Sequence, residues 1–216
     1  MDGMDAAADG EIVELPGGDA RVVTAARGRR GGLGPELLLR RLLAAGAGVP
    51  ADDVELVHSC ETCGGNHGRP TVGYPTTPSG APWFVDAGAA GELVVAAAAT
   101  RRRVGVGLEL VSAAALEGVD EAALHASERA ALAALDPPEQ ARARAILWAR
   151  KSALLRAIGH TGFTEPSTLA VSMPGNDEGI GRIERTVPEL GPGWRGVRFH
   201  DLAVPGAVVA SVAVLV

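Results

Sequence analysis

Apolar residues in the first half of the chain follow strand spacing at three places and helix spacing at one. Alternating or β-branched runs predict strands at residues 11–15, 20–25 and 92–99. A helix is predicted at residues 35–45, where a proline suits the first turn and leucines recur at helical spacing. Residues 58–82 are dense in Gly, Pro and Thr, which predicts a loop.

The second half repeats this alternation of strands and helices with different lengths. Periodicity predicts helices at residues 121–135 and 139–158, separated by an Asp-Pro-Pro break, and strands at 104–110, 169–172, 196–202 and 208–214. Each half therefore consists of strands around one or two helices. The predicted fold class is α+β.

Two segments about forty residues apart carry the candidate chemistry. In the strand 104–110, the valines and leucines share one face, so the other face carries Gly105, Gly107 and Glu109. In the predicted helix, one side brings together the residues Trp148, Lys151, Ser152, Leu155 and Arg156. The sequence thus indicates two candidate faces for a functional site: the glycine-rich face of the strand and the basic face of the helix.

Composition narrows the classes of function. The chain has 216 residues, 47% of them hydrophobic, which suits one large domain or two small lobes. A net charge of −6 offers no broad phosphate-binding field, so we expect no nucleic-acid partner. Residues 1–10 are acidic and are predicted to be mobile, and the apolar run 203–216 is too short to span a bilayer. We therefore expect a cytoplasmic protein without a membrane partner.

The two segments together resemble the paired signature of the 4′-phosphopantetheinyl transferases, "VG(V/I)D(I/V)E … W(T/A)xKEAxxK". The stretch 60–70 is similar to "CxxCGxxHG(R/K)P" of actinobacterial members, and residues 126–132 resemble their "SxxExxxL" helix start, with Ser127 as the expected N-cap. The resemblance covers most of the chain from about residue 25. It implies the two-lobed, monomeric type, with pseudo-symmetric lobes at residues 1–102 and 103–216. Each lobe is then expected to be a small, mostly antiparallel sheet packed with helices.

The resemblance also implies a magnesium ion and coenzyme A between the lobes, and the chain departs from the family pattern at that site. Gly107 stands where the family has Asp and Ser152 where it has Glu, so two of three anionic magnesium ligands are absent. Gly88 and Ala89 fall where the family has the Ser-His pair that touches coenzyme A phosphate. We therefore expect the metal and cofactor site to be degraded, with no cofactor unless the ancestral activity survives.

Several residues remain candidates for chemistry in the interlobe cleft. Glu109, Asp86 and Lys151 are the predicted catalytic groups, and Glu109 is also the one remaining metal-ligand candidate. Asp86 has the alternative of a turn-forming residue, and Lys151 that of an ion pair with Glu109 across the cleft.

The predicted cofactor-binding residues are basic. Arg69 matches a family residue that contacts coenzyme A phosphates, and Arg156 stands in place of the last signature lysine. Arg30 belongs to a basic cluster that also suits docking to an acidic carrier protein. His125, Glu128 and His160 are further candidates for the cleft.

Two local motifs have competing interpretations. Cys60 and Cys63, with His58 and His67, have zinc-like spacing, but a structural zinc needs four ligands, so two reduced thiols in a packed loop are the favoured interpretation. A redox CxxC lacks the expected βαβ surroundings. The glycines at 105 and 107 do not form a dinucleotide fingerprint, because the third glycine is missing.

Three functions follow from the resemblance and its departures. The first is a protein that has lost phosphopantetheine transfer and acts on a small-molecule intermediate of natural-product biosynthesis, as a cyclase, dehydratase or isomerase. The second is an atypical but active transferase that moves the arm from coenzyme A to a carrier-protein serine. The third is a non-catalytic partner of an acyl or peptidyl carrier protein.

Overall fold

The computed structural model describes residues 10–18, 20–27, 33–58, 63–65, 69–114, 120–159, 165–175, 180–188 and 192–215. Its mixed α+β content confirms the class that the hydrophobic pattern predicts, and the recorded pairings within its small sheets are antiparallel. The chain divides into two compact units, Met1–Val104 and Gly105–Val216. The sequence-based division lies two residues earlier.

The N-terminal unit is a four-stranded sheet packed against one helix, with a separate hairpin. Its elements are β1 (Ile12–Glu14), β2 (Ala20–Ala26), α1 (Pro35–Ala47), β3 (Glu55–His58), β4 (Pro70–Tyr74), β5 (Phe84–Ala90) and β6 (Leu93–Ala99). The strand order in the sheet is β1-β2-β6-β5, and β3 pairs with β4. Leu38, Leu39, Leu42 and Leu43 of α1 are buried against Val and Ala side chains of the sheet, so this core is almost wholly apolar.

The C-terminal unit packs a long helix on a second four-stranded sheet. Its elements are β7 (Val104–Leu110, whose first residue belongs to the N-terminal unit), α2 (Val111–Ala114), α3 (Asp120–Ala123), α4 (Ala126–Leu132), α5 (Pro137–Ile158), β8 (Ala170–Val171), β9 (Ile180–Gly181), β10 (Ile183–Arg185), β11 (Arg198–Leu202) and β12 (Val208–Val214). The sheet order is β7-β12-β11-β9, and β8 pairs with β10.

Most of the predicted elements are confirmed, and the differences have local causes. The predicted loop at 58–82 contains β4, whose pairing with β3 the Gly and Pro content conceals. The predicted helix at 121–135 consists of two short helices, α3 and α4, because the helical conformation is interrupted between Ala123 and Ala126. Within the described residues, no helix combines the length and apolar character needed to cross a bilayer.

Candidate functional site

The glycine face of β7 lies against the backbone of α5. A methyl group added at Gly107 would come within 1.9 Å of the carbonyl oxygen of Ala149. One added at Gly105 would come within 2.1 Å of the carbonyl oxygen of Ala153. Because real side chains never approach so closely, glycine at both positions is required by helix–strand packing. Helix α5 therefore occupies the space beside Gly107.

Lys151 is fully buried in α5 and its ammonium group has three acceptors. Its Nζ donates to Oε2 of Glu128 at 2.6 Å, to the carbonyl of Pro166 at 2.8 Å and to the carbonyl of Ala123 at 3.0 Å. Burial lowers the pKa of Lys151, and the charge and hydrogen bond of Glu128 act in the opposite direction. An ammonium has three N–H groups, so all are used within the protein. The geometry therefore favours a structural role for Lys151. The alternative of an ion pair named Glu109 as the partner, and the partner observed is Glu128.

Glu128 is the carboxylate of this buried pair, and it also forms part of the N-terminal cap of helix α4. Its Oε2 accepts from the backbone N–H of His125 at 2.7 Å, and its Oε1 accepts from the backbone N–H of Val171 at 2.8 Å. The N-cap is His125, whose ring nitrogen accepts from the backbone N–H of Ser127. The expected Ser127 cap is therefore wrong by two residues, because an imidazole nitrogen can replace a hydroxyl oxygen as acceptor.

A second buried cation, Arg150, directly precedes Lys151 in the sequence. Its guanidinium forms a two-pronged pair with the Asp201 carboxylate, at 3.1 Å and 2.6 Å. It also donates to the backbone carbonyl and hydroxyl of Ser172, at 2.7 Å and 3.0 Å. Gly181 lies against the same guanidinium, since a methyl group there would come within 2.4 Å of it. Arg150 thus links α5 to β11 and to the residue after β8.

Glu109 and Asp86 lie in different units and have different surroundings. Glu109 is partly buried near the end of β7, and burial raises the pKa of its carboxyl. A raised pKa enlarges the protonated fraction near neutral pH, which suits a general acid or base. Asp86 is fully buried inside β5, opposite Ala97 of β6. The turn-forming alternative for Asp86 is therefore wrong, because the strand continues through the Ala-Gly that follows it.

The predicted cofactor-binding arginines have dissimilar positions. Arg69 donates to the carbonyl of Val85 at 2.8 Å and 3.1 Å, and to that of Val104, all within the N-terminal unit. These bonds use part of its guanidinium for holding the backbone. Arg156 lies exposed in the last turn of α5. Arg30 lies outside the described residues.

The zinc-like motif is only partly described. His58 ends β3, with its Nε2 3.8 Å from a carboxylate oxygen of Glu36, and Cys63 is exposed. Cys60 and His67 lie outside the described residues, as does His160. The geometry of the motif therefore adds nothing to either interpretation.

The residues present fit a magnesium–coenzyme A complex poorly. Gly107 has no room for a carboxylate, and Ser152 supplies a neutral hydroxyl on α5. Gly88 and Ala89 are paired inside β5 and bring no polar side chain. Among the described residues, no group of three or more His, Cys, Asp or Glu side chains is arranged to hold a metal ion.

Comparison with known proteins adds no relative from which a function could be carried over. Neither the models of known protein families nor the curated protein sequences match this chain.

The sequence missed residues that form the buried polar framework of the C-terminal unit. Arg144 of α5 pairs with Asp120 of α3 at 2.8 Å and is nearly fully buried. With Arg150 and Lys151, it makes α5 a helix that buries three cations. Their spacing gave one signal: basic residues recur along α5 on more than one face, which is unusual unless some of them are paired in the interior.

Proposed function

We propose that this chain is a phosphopantetheinyl-transferase-like protein that no longer transfers phosphopantetheine and that acts on a small molecule of natural-product biosynthesis. The α+β content and the two units, each with a four-stranded sheet and a helix packed on it, agree with what the sequence resemblance implies about the fold. The same resemblance assigns the ancestral metal site to positions 107, 109 and 152.

The contact between Gly107 and the backbone of α5 carries the proposal. At 1.9 Å from the Ala149 oxygen there is no space for the first atom of an aspartate side chain. Restoring one acidic residue would therefore require β7 and α5 to move apart. A carboxylate at position 107 is therefore incompatible with the packing of β7 on α5.

Glu109 is the group that we assign to the new chemistry. It is the one family ligand position that retains a carboxylate, and burial raises its pKa. A carboxyl group with a raised pKa exchanges protons closer to neutral pH, as a cyclisation, dehydration or isomerisation requires. Lys151 holds the helix in place through its three acceptors and takes no part in proton transfer.

Mass spectrometry of apo-carrier proteins tests the loss of transfer. Incubation of the full chain with coenzyme A, Mg²⁺ and several apo acyl and peptidyl carriers should leave the carrier masses unchanged, while an active transferase modifies the same carriers. A pantetheine-sized mass gain that disappears in Glu109→Gln would establish the atypical transferase instead. A stable carrier complex without mass gain would establish the partner function.

A screen of pathway intermediates tests the gain of new chemistry. Candidate intermediates are ranked by thermal shift and then followed for conversion by the wild type, Glu109→Gln and the control Glu184→Gln. Glu184 is an exposed carboxylate on β10. Conversion should fall about a hundredfold or more in Glu109→Gln and stay within about twofold in the control. Equal conversion by both variants would remove Glu109 from the reaction.

A further inference from the structure

A cavity of about 300 Å³ lies in the C-terminal unit, and none of the described residues that line it belongs to β7. These lining residues come from α3, from α5, and from the one-turn 3-10 helix Pro166–Thr168 with the residue before it. The lining residues are Glu121, Ala122, Trp148, Glu165, Pro166 and Ser167. Its size is at the lower end of the range for small-molecule sites in proteins.

Two buried ion pairs fix the walls of this cavity. Lys151 donates to the carbonyls of Ala123 and Pro166, so one ammonium joins α3 to the 3-10 turn. Arg144 joins α3 to α5 through Asp120 at 2.8 Å. These two cations lie one turn before and one turn after Trp148 on α5. The walls are therefore held in position before any ligand arrives, which reduces the ordering cost of binding.

The charge balance of the cavity favours a cation. Arg144 and Lys151 are each neutralised by a partner, Asp120 and Glu128 respectively. Both lining glutamates are exposed, and none of the described residues that line the cavity is basic. Arg129 approaches Glu121 only at 4.0 Å, and the Glu121 side chain is 93% exposed, so this contact offsets little of the charge.

Trp148 determines the kind of cation. It is partly buried, packs against the hydrophobic core through part of its surface and lines the cavity with the rest. Indole is the side chain that most strongly attracts an organic cation to its face. Ala122 and Pro166 supply apolar surface beside it. A hydrated metal ion would gain nothing from these three residues, whereas an alkylammonium would use all of them.

We propose that this cavity is a binding site for a small primary amine in its ammonium form, with the cationic head between Glu121 and Glu165 and its alkyl body against Trp148. The site is independent of Glu109 and of the proposed loss of transfer. It adds an organic cation to the ligand classes that the sequence indicated for this unit.

Binding of n-hexylammonium, followed by NMR, tests the proposal. The side-chain N–H signal of Trp148 is identified by its absence in Trp148→Phe, which separates it from the other two tryptophans. Hexylammonium should shift this signal saturably, and 1-hexanol, a neutral molecule of similar shape, should bind at least tenfold more weakly. Equal binding of the alcohol, or no shift up to about 50 mM amine, would overturn the proposal.

Charge variants separate this site from general attraction to an acidic surface. The double variant Glu121→Gln, Glu165→Gln should weaken hexylammonium binding by about three- to tenfold, because each exposed carboxylate contributes modestly. The matched double variant Glu139→Gln, Glu184→Gln removes two exposed carboxylates that do not line the cavity and should stay within about twofold of wild type. The same loss in both double variants would show non-specific attraction and overturn the proposal, as would stronger displacement by Mg²⁺ than by a second amine.

Discussion

Helices α1 and α5 bury their inner faces in different ways. The buried residues of α1 are four leucines and an alanine, packed on an apolar sheet. The buried residues of α5 include Arg144, Arg150 and Lys151, each paired with a carboxylate of another element. Apolar packing tolerates exchange of similar shapes, whereas a buried ion pair requires both partners. The C-terminal unit should therefore be the less tolerant of substitutions that preserve shape.

The largest expected effect comes from removing the charge of Lys151. Lys151→Met keeps most of the volume but leaves the Glu128 carboxylate buried without its cation, which should cost about 3–5 kcal/mol of unfolding free energy. Urea unfolding at neutral pH measures this. The matched change in α1, Leu39→Met, should cost about 1.5 kcal/mol or less.

A second substitution identifies the cause of that loss. Adding Glu128→Gln to Lys151→Met removes the unpaired charge while an amide oxygen can still accept from the N–H of Val171. The double variant should therefore recover part of the lost stability. Equal costs for Lys151→Met and Leu39→Met would contradict the comparison between the two helices.

A smaller effect is expected where β7 meets α5. Gly107→Ala forces the strand away from the Ala149 carbonyl and should cost about 1–3 kcal/mol in thermal or urea unfolding. Gly34→Ala is the control, since the N-cap of α1 has open space around the added methyl group and an ordinary negative φ. If both variants were equally stable, β7 and α5 would not be in close contact in solution.

The smallest effect is a pH dependence from Glu109. Its pKa is raised by burial, so the folded chain holds this proton more tightly than the unfolded chain. The contribution of this carboxyl to the free energy of unfolding is therefore present at acidic pH. It is lost as the pH rises past the ordinary pKa of glutamate. Glu109→Gln should therefore be more stable than wild type at neutral pH, with a difference that shrinks towards pH 4 in unfolding curves. A difference independent of pH would contradict this assignment.

Local sequence signals predicted most of the regular elements, but they did not predict the contacts that Gly107 and Lys151 make. The leucine spacing of α1 and the β-branched run of β12 are regular enough to be recognised without tertiary information. The same holds for the long helical pattern of α5. Strands β3, β4, β5, β9 and β10 were not predicted. In β4 and β5 the Gly, Pro and Ala content conceals the pairing, and β3, β9 and β10 are too short to show a period of their own. The glycine face of β7 was found, but what it contacts was not.

The sequence alone determined that the chain forms an α+β protein and which faces of β7 and α1 are apolar, because these properties depend on spacing along the chain. Only the tertiary structure decided that α5 fills the space beside Gly107, that Lys151 pairs with Glu128, and that a cavity forms beside Trp148. Each of these depends on which residues meet across about twenty or more positions of sequence. Charge and close packing act through distance in space, and spacing along the chain does not specify that distance.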